Sequence, residues 1–315
     1  MDLSLVIPLY NEEESLPPLM EWIDRVIKKE GLTTEVILID DGSNDESWDT
    51  IVALKKEYAY IRALHFGRNY GKSAALYCGF KEAEGEVVIT MDADMQDSPD
   101  EIPALYSMIA NDKYDLVSGW KKKRHDPIGK TLPSKFFNFT ARTVSGIKIH
   151  DFNCGLKAYK KKVVKSIEVY GEMHRYIPIL ARQAGYKKIT EKVVQHRSRE
   201  FGTSKYGWER MIKGYLDLLT VMFMWKFGRS PMYIFGTIGT IMFIFGAIVV
   251  LYLIGYKHYL IIEHEPLRQI TDQPLFFMAL AASIIGTQMF LAGFLGQLIT
   301  RNGSDKNNYI IDQSL

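Results

Sequence analysis

Residues 86–97 read EVVITMDADMQD, an apolar, β-branched run that stops at Asp92 and continues through Ala93, Asp94, Gln96 and Asp97. A run this short and this rich in Val and Ile is a buried strand, 86–91, whose carboxyl end carries oxygen donors. Upstream, residues 3–9 (LSLVIPL) end in Tyr10-Asn11-Glu12, residues 35–39 end in Asp40-Asp41-Gly42-Ser43, and a third run covers 61–66. Helical patterns follow these runs, to about residue 29, over 46–58 and over 72–83. Strand–helix alternation at this spacing predicts an α/β fold, a doubly wound, mostly parallel sheet with right-handed crossovers. Ligands of such sheets bind outside the carboxyl ends of the strands. Three of the four strands end in carboxylates: Glu12, Asp40 with Asp41, and Asp92 with Asp94.

Asp92 and Asp94 stand two apart, so with strand geometry both side chains project to one side. Two hard oxygen ligands there suit Mg²⁺ or Mn²⁺. A lone Asp-x-Asp is more often a solvated turn, but this one closes a buried strand and is followed by two further oxygen-bearing residues. The stretch Gly67–Ser73 (GRNYGKS) imitates a phosphate-binding P-loop and fails it, with three residues instead of four before the Gly-Lys pair. No GxGxxG follows the first strand either. An NTPase or a dinucleotide enzyme is disfavoured, and Lys72 is left as a cation for another anion.

The 315 residues carry 39 Lys+Arg against 37 Asp+Glu, a net charge of +2 that excludes a bulk polycation. Cys78 and Cys154 are too few for a disulfide scaffold and match no zinc spacing, which fits a reducing compartment. The mean hydropathy of −0.08 averages two unlike parts. Residues 230–256 and 273–300 are free of charge over 27 and 28 residues. As helices each reaches roughly 40 Å, enough to span a hydrocarbon core of about 30 Å. Spans at about 232–256 and 274–299 make a transmembrane hairpin within 230–300, joined by the loop 257–272. Between it and the soluble part, 207–229 is expected as an amphipathic juxtamembrane helix. Met211, Ile212, Tyr215, Leu216, Leu219 and Met222 form its apolar stripe, bracketed by Trp208 and Trp225.

The soluble domain is expected to run from 1 to 206, with 301–315 as a cytosolic tail. The N-terminus shows no basic segment followed by an apolar core, so the soluble part is expected in the cytosol. Lys226, Arg229, Arg301 and Lys306 flank the hairpin, against Lys257 and Arg268 in its loop, and this excess places both termini in the cytosol, with a bacterial inner membrane as the expected location. From 120 to 165 there are thirteen Lys/Arg and two acids. Charge runs are usually solvated surface; beside a metal site and near a bilayer this one reads as an anion-binding face, and next to membrane spans nucleic acid is not an expected partner.

VIPLYNEE (6–13), DDGSND (40–45), MDADMQDSP (91–99) and RxxGxSKY (199–206) together resemble the family 2 glycosyltransferases, and within them the polyprenyl-phosphate glycosyltransferases, the group of dolichyl-phosphate mannose synthases and bactoprenol glucosyltransferases. The resemblance implies a GT-A-like nucleotide-sugar fold and a set of site residues. Pro8, Tyr10 and Glu12 match positions that hold base and ribose, and Ile39 and Asp41 match the base-reading pair. Asp92 and Ala93 match nucleotide contacts, and Asp94 with Gln96 matches the ligands of a Mg²⁺ or Mn²⁺ ion on the diphosphate. Arg199 and Lys205 match cations that close over the donor phosphates. Lys130 and Ser134 stand where such enzymes contact the acceptor phosphate. Lys121 stands where many members carry an arginine, so a bidentate contact becomes a point charge. Asp151, in HDFNCGLKAY, matches an aspartate sometimes proposed as a general base. The implied donor is a UDP- or GDP-linked sugar and the acceptor a polyprenyl (undecaprenyl or dolichyl) phosphate in the membrane lipid, with a homo-oligomer as the implied assembly.

A polyprenyl monophosphate has a second pKa of about 6 and is already ionised at neutral pH, so it needs no strong base. The implied catalytic set is Asp94, Asp151, Arg199 and Lys205, working mainly by positioning and charge neutralisation, with inversion by in-line attack. The alternatives are a glycolipid or polysaccharide glycosyltransferase with a hydroxyl acceptor, and a membrane adaptor on a borrowed fold. Two spans and the lack of QxxRW oppose a processive synthase; an adaptor has no use for Asp92, Asp94 and Gln96 together.

Overall fold

The computed structural model describes residues 1–111, 113–122, 138–143, 145–197, 231–264, 269–302 and 311–314. They divide into two compact units, one holding the sheet with its helices, the other an apolar hairpin. The first unit begins with β1 (Leu3–Leu9), α1 (Leu16–Glu30), β2 (Thr34–Asp40), α2 (Ser47–Glu57), β3 (Ile61–Phe66), α3 (Lys72–Glu82) and β4 (Val87–Thr90). It continues with α4 (Ile102–Ala110), β5 (Leu116–Trp120), β6 (Lys157–Lys160), α5 (Lys161–Ser166), α6 (Ile177–Gln183) and β7 (Ile189–Val193). The hairpin is α7 (Pro231–Ile262) and α8 (Pro274–Asn302), after which β8 (Ile311–Ser314) rejoins the sheet.

The strand order is β7-β5-β6-β4-β1-β2-β3-β8. Strands β3, β2, β1 and β4 run parallel, as the alternation predicts. Their side chains part by period two: Leu3, Leu5 and Ile7 join Ile23, Val26 and Leu105 on one face, while Val6, Ile37 and Ile39 join Ala75 and Phe80 on the other. A sheet covered on both faces explains why LVIPL (5–9) and VILI (36–39) read as unbroken apolar runs. The mixed half of the sheet, where β6 runs antiparallel to both β4 and β5, has no counterpart in the sequence reading. β6 lies within the basic stretch, and its cations hide a strand whose Ala158 and Tyr159 are fully buried. Within the expected tail 301–315, Ile311–Ser314 pairs antiparallel with β3.

α7 and α8 are long and apolar enough to cross a membrane, and Phe245, Leu251, Phe294 and Leu295 face outward from them. The two helices touch through glycine. A Cβ on Gly239 would lie 2.5 Å from the Gly286 carbonyl oxygen, and one on Gly246 would lie 2.5 Å from that of Ala279. The expected juxtamembrane helix 207–229 lies outside the described residues.

Candidate active site at the strand ends

β1 and β2 end side by side, with Pro8 opposite Ile39 and Leu9 opposite Asp40, so the residues expected to hold a nucleotide come together. Past β1, Asn11 turns into the left-handed region (φ 56) and donates its N–H to Ser43 Oγ at 2.8 Å. Its side-chain oxygen accepts from Asn44 N at 2.9 Å, and Asn44 Nδ2 donates to Tyr10 Oη at 3.1 Å. Glu12 takes the Ser15 hydroxyl at 2.9 Å, steadying the entry to α1. Asp40, fully buried, accepts from Ser43 N at 3.0 Å through Oδ1 and meets His65 Nδ1 at 2.8 Å through Oδ2.

Asp41 reaches across to the loop after β3, accepting Tyr70 N at 2.7 Å and Gly71 N at 2.9 Å. Gly42 makes this approach possible: its φ is +71° and a Cβ there would sit 2.4 Å from the Arg68 carbonyl carbon. Burial, with Asp40 adding to it, pushes the Asp41 carboxyl up to about 6 against the pull of the two backbone donors.

At the end of β4, Asp92 pairs with Lys72. Burial opposes its charge, yet Lys72, Lys121 and Lys157 overcome it and hold the carboxyl at about 2. A Cβ on Gly155 would lie 2.4 Å from Asp92 Oδ2, so this glycine leaves the carboxylate its place. Ala93 and Asp94 are buried, and Asp94 Oδ1 accepts from Gln96 N at 3.2 Å. Asp97, wholly buried, has Lys121 Nζ 2.8 Å from Oδ1, while Oδ2 has no hydrogen-bond partner among the described residues. Burial lowers Lys121, but the Asp97 carboxylate more than offsets this and keeps the ammonium charged.

The loop that carries Gln96 and Asp97 is bridged to the segment after β7: Asp97 pairs with His196, and Gln96 O accepts from Arg197 N at 2.9 Å. Arg197 lies over the Trp22 ring at 4.2 Å. Asp151 is buried, its Oδ1 accepting from Asn153 N at 3.0 Å and its carbonyl from Ser118 Oγ at 3.1 Å. Lys130, Ser134, Arg199 and Lys205 lie outside the described residues.

The structure thus brings Pro8, Tyr10, Glu12, Ile39 and Asp41 to one pair of strand ends and Asp92, Ala93, Asp94 and Gln96 to the next. Lys72 meets an anion of the protein itself. Three groups have no place in the sequence reading as parts of this site: Lys157, which donates to the Cys154 carbonyl, His174, bonded to Ser73 at 3.1 Å, and Tyr159, whose buried hydroxyl lacks a hydrogen-bond partner among the described residues. With Lys72, Asn153 and Gly155 they line a small polar cavity. Only the Gly-Leu-Lys-Ala-Tyr spacing, which puts Lys157 and Tyr159 two apart on a strand, signals it.

The mixed sheet carries acidic residues past the ends of its parallel strands, and residues 4–168 match the glycosyl transferase family 2, to which this chain belongs. Within that family it groups with the polyprenyl-phosphate glycosyltransferases. It is 34% identical to the dodecaprenyl-phosphate galacturonate synthase of Rhizobium johnstonii, over 99% of this chain and 93% of that one. It is 37% identical to the undecaprenyl-phosphate 4-deoxy-4-formamido-L-arabinose transferase of Pectobacterium atrosepticum, over 96% and 90%. In fold it is similar to the glucosyl-3-phosphoglycerate synthase of Mycobacterium tuberculosis, solved with Mn²⁺, UDP and glucosyl-3-phosphoglycerate. That match has a TM-score of 0.56 at 17% identity and covers 71% of this chain and 79% of that one.

Proposed function

We propose that this protein is a membrane-anchored, inverting glycosyltransferase that moves a sugar from a UDP- or GDP-linked donor to a polyprenyl phosphate. The observation that carries the reading is the end-to-end similarity to a dodecaprenyl-phosphate sugar synthase in a chain with two span-length helices. Pro8, Tyr10, Glu12, Ile39 and Asp41 take the nucleoside, and Asp92 and Ala93 contact the nucleotide.

The donor set fits a divalent ion. Asp94, Gln96 and the orphaned Oδ2 of Asp97 are hard oxygen donors within four residues, the chemistry that Mg²⁺ and Mn²⁺ select. Asp94 and Gln96 would hold the ion, and when bound it would neutralise charge on the leaving diphosphate. Lys72 holds Asp92 in place beside it, and Lys121 balances Asp97. Arg199 and Lys205 supply further positive charge to the diphosphate, and Lys130 and Ser134 bind the acceptor phosphate. The acceptor oxygen is ionised near neutral pH and attacks the anomeric carbon as the bond to the diphosphate breaks. No proton has to be removed, so Asp151, buried and bonded to Asn153, orients its loop.

The test is to incubate the detergent-purified protein with undecaprenyl phosphate and a panel of neutral, uronic and amino-sugar nucleotides, then weigh the lipid product. A lipid-phosphate-linked sugar is expected; transfer to undecaprenol as fast as to undecaprenyl phosphate overturns the assignment in favour of a hydroxyl acceptor.

A further inference from the structure

If β8 were missing, β3 would be an open edge, its backbone N–H and C=O groups unpaired and available to another chain. β8 covers it, with Ser314 opposite Leu64, Gln313 opposite His65 and Ile311 opposite Phe66. The same strand makes a side-chain contact, since Trp48 donates its indole N–H to Gln313 Oε1 at 2.6 Å. Trp48 lies in the first turn of α2, half-buried, and its ring packs on His65 at 5.0 Å between centroids. His65 Nδ1 faces Asp40 Oδ2, and the other Asp40 oxygen takes both the N–H and the hydroxyl of Ser43. Ser43 Oγ accepts from Asn11 N, and Asn44 holds Asn11 and Tyr10. An unbroken series of contacts therefore joins the C-terminal strand to the loops after β1 and β2.

We propose that the C-terminal strand is a positioning element of the donor site: through Gln313, Trp48 and His65 it fixes the turn 40–44 on which Tyr10, Asn11 and Asp41 are arranged. This rests on the reading of those loops as the nucleotide-binding part of a glycosyltransferase. Asp40 is wholly buried, so losing the His65 contact leaves a carboxylate oxygen unpaired away from water, and the turn must shift to solvate it. Gln313 is exposed and needs no contact for its own sake; as an acceptor it fixes the indole, and the indole limits how the imidazole can turn.

The test uses the full chain in detergent, with three variants: Gln313→Ala, Gln313→Glu and a chain lacking residues 310–315. Gln313→Ala is expected to raise the donor KM roughly two- to tenfold, the range of one hydrogen bond's net worth, with kcat and the acceptor KM within about twofold of wild type. Gln313→Glu keeps an acceptor for the indole N–H and should restore the donor KM. Truncation should raise it further, and a peptide of residues 307–315 added in trans should lower it again. A donor KM unmoved by both Gln313→Ala and truncation overturns the proposal. So does an equal loss in donor KM, acceptor KM and kcat, which marks β8 as general support. Hydrogen exchange decides the case without activity: faster exchange at 40–46 on truncation supports the positioning role and unchanged exchange rejects it. A wild-type protein that turns over no nucleotide sugar strikes the glycosyltransferase reading itself.

Discussion

Asp94 closes β4 with its carboxylate buried and an N–H of its own loop on one oxygen. Because it sits past the last ladder pair of the strand, Asp94→Asn should change stability by less than about 1 kcal/mol while lowering turnover by at least about 10²-fold, as expected for loss of charge at a metal ligand. Melting and activity measured on one preparation check this; turnover insensitive to both the substitution and EDTA rejects the metal. Asp41 gives a pH signature. Its carboxyl titrates at about 6 in the fold against a usual 3.8. Between those values the folded chain holds more protons than the unfolded one, so this group stabilises the fold below about 3.8 and that contribution is lost as pH rises through 6. Asp41→Asn should therefore flatten the fall in melting temperature between about pH 4 and 6, and a parallel curve for wild type and variant would show that Asp41 is not its source. Asp92, Asp94 and Asp41 were legible because acidic residues at the ends of apolar runs have few structural reasons to be there. The partner of Lys72 was not, since GRNYGKS shows only that the loop is no P-loop; the ion pair with Asp92 forms between elements twenty residues apart.

Among the elements, β1 to β4 could be read to within a residue because the strands are buried along most or all of their length, and a helical pattern follows each of the first three after a loop. β5 to β7 could not. Lys157 and Lys160 make β6 look like solvated surface, although the sheet buries Lys157 and gives its ammonium the Cys154 carbonyl. β7 is only half-buried and alternates weakly. The hairpin was read from length and lack of charge, but its pairing depends on glycines that periodicity does not rank. Gly239, Gly246 and Gly286 meet backbone or side chain of the opposite helix, whereas an added Cβ on Gly255 meets nothing within 4 Å. Gly286→Leu should wedge the helices apart and cost on the order of 1–3 kcal/mol, like other overpacked contacts. Gly255→Leu should be near neutral. Thermal melting in a single detergent compares the two; equal losses would mean that α7 and α8 do not pack through their glycines.

For the whole molecule, residues before and after the hairpin belong to one compact unit, and this sets an expectation for the membrane topology. α8 ends at Asn302 and β8 begins at Ile311, so the connecting chain covers nine Cα steps. Fully extended, that is roughly 32 Å, less than the about 40–45 Å of a bilayer with its headgroups. With β3 and β8 in one sheet, the expected number of membrane crossings between them is even. Two span-length helices satisfy that condition; one or three do not. The four basic residues near the helix ends against two in the connecting loop make a cytosolic location for both termini the expected one. Reporters fused after Leu315 and before Met1 should both read as cytosolic, and single cysteines placed in 257–272 should react with an impermeant maleimide from the far side only. Labelling of that loop from the cytosolic side, with both termini cytosolic, would mean that the hairpin enters the bilayer without crossing it. Opposite locations for the two termini would break the β3–β8 pairing itself, because no nine-step chain can reach back to the sheet.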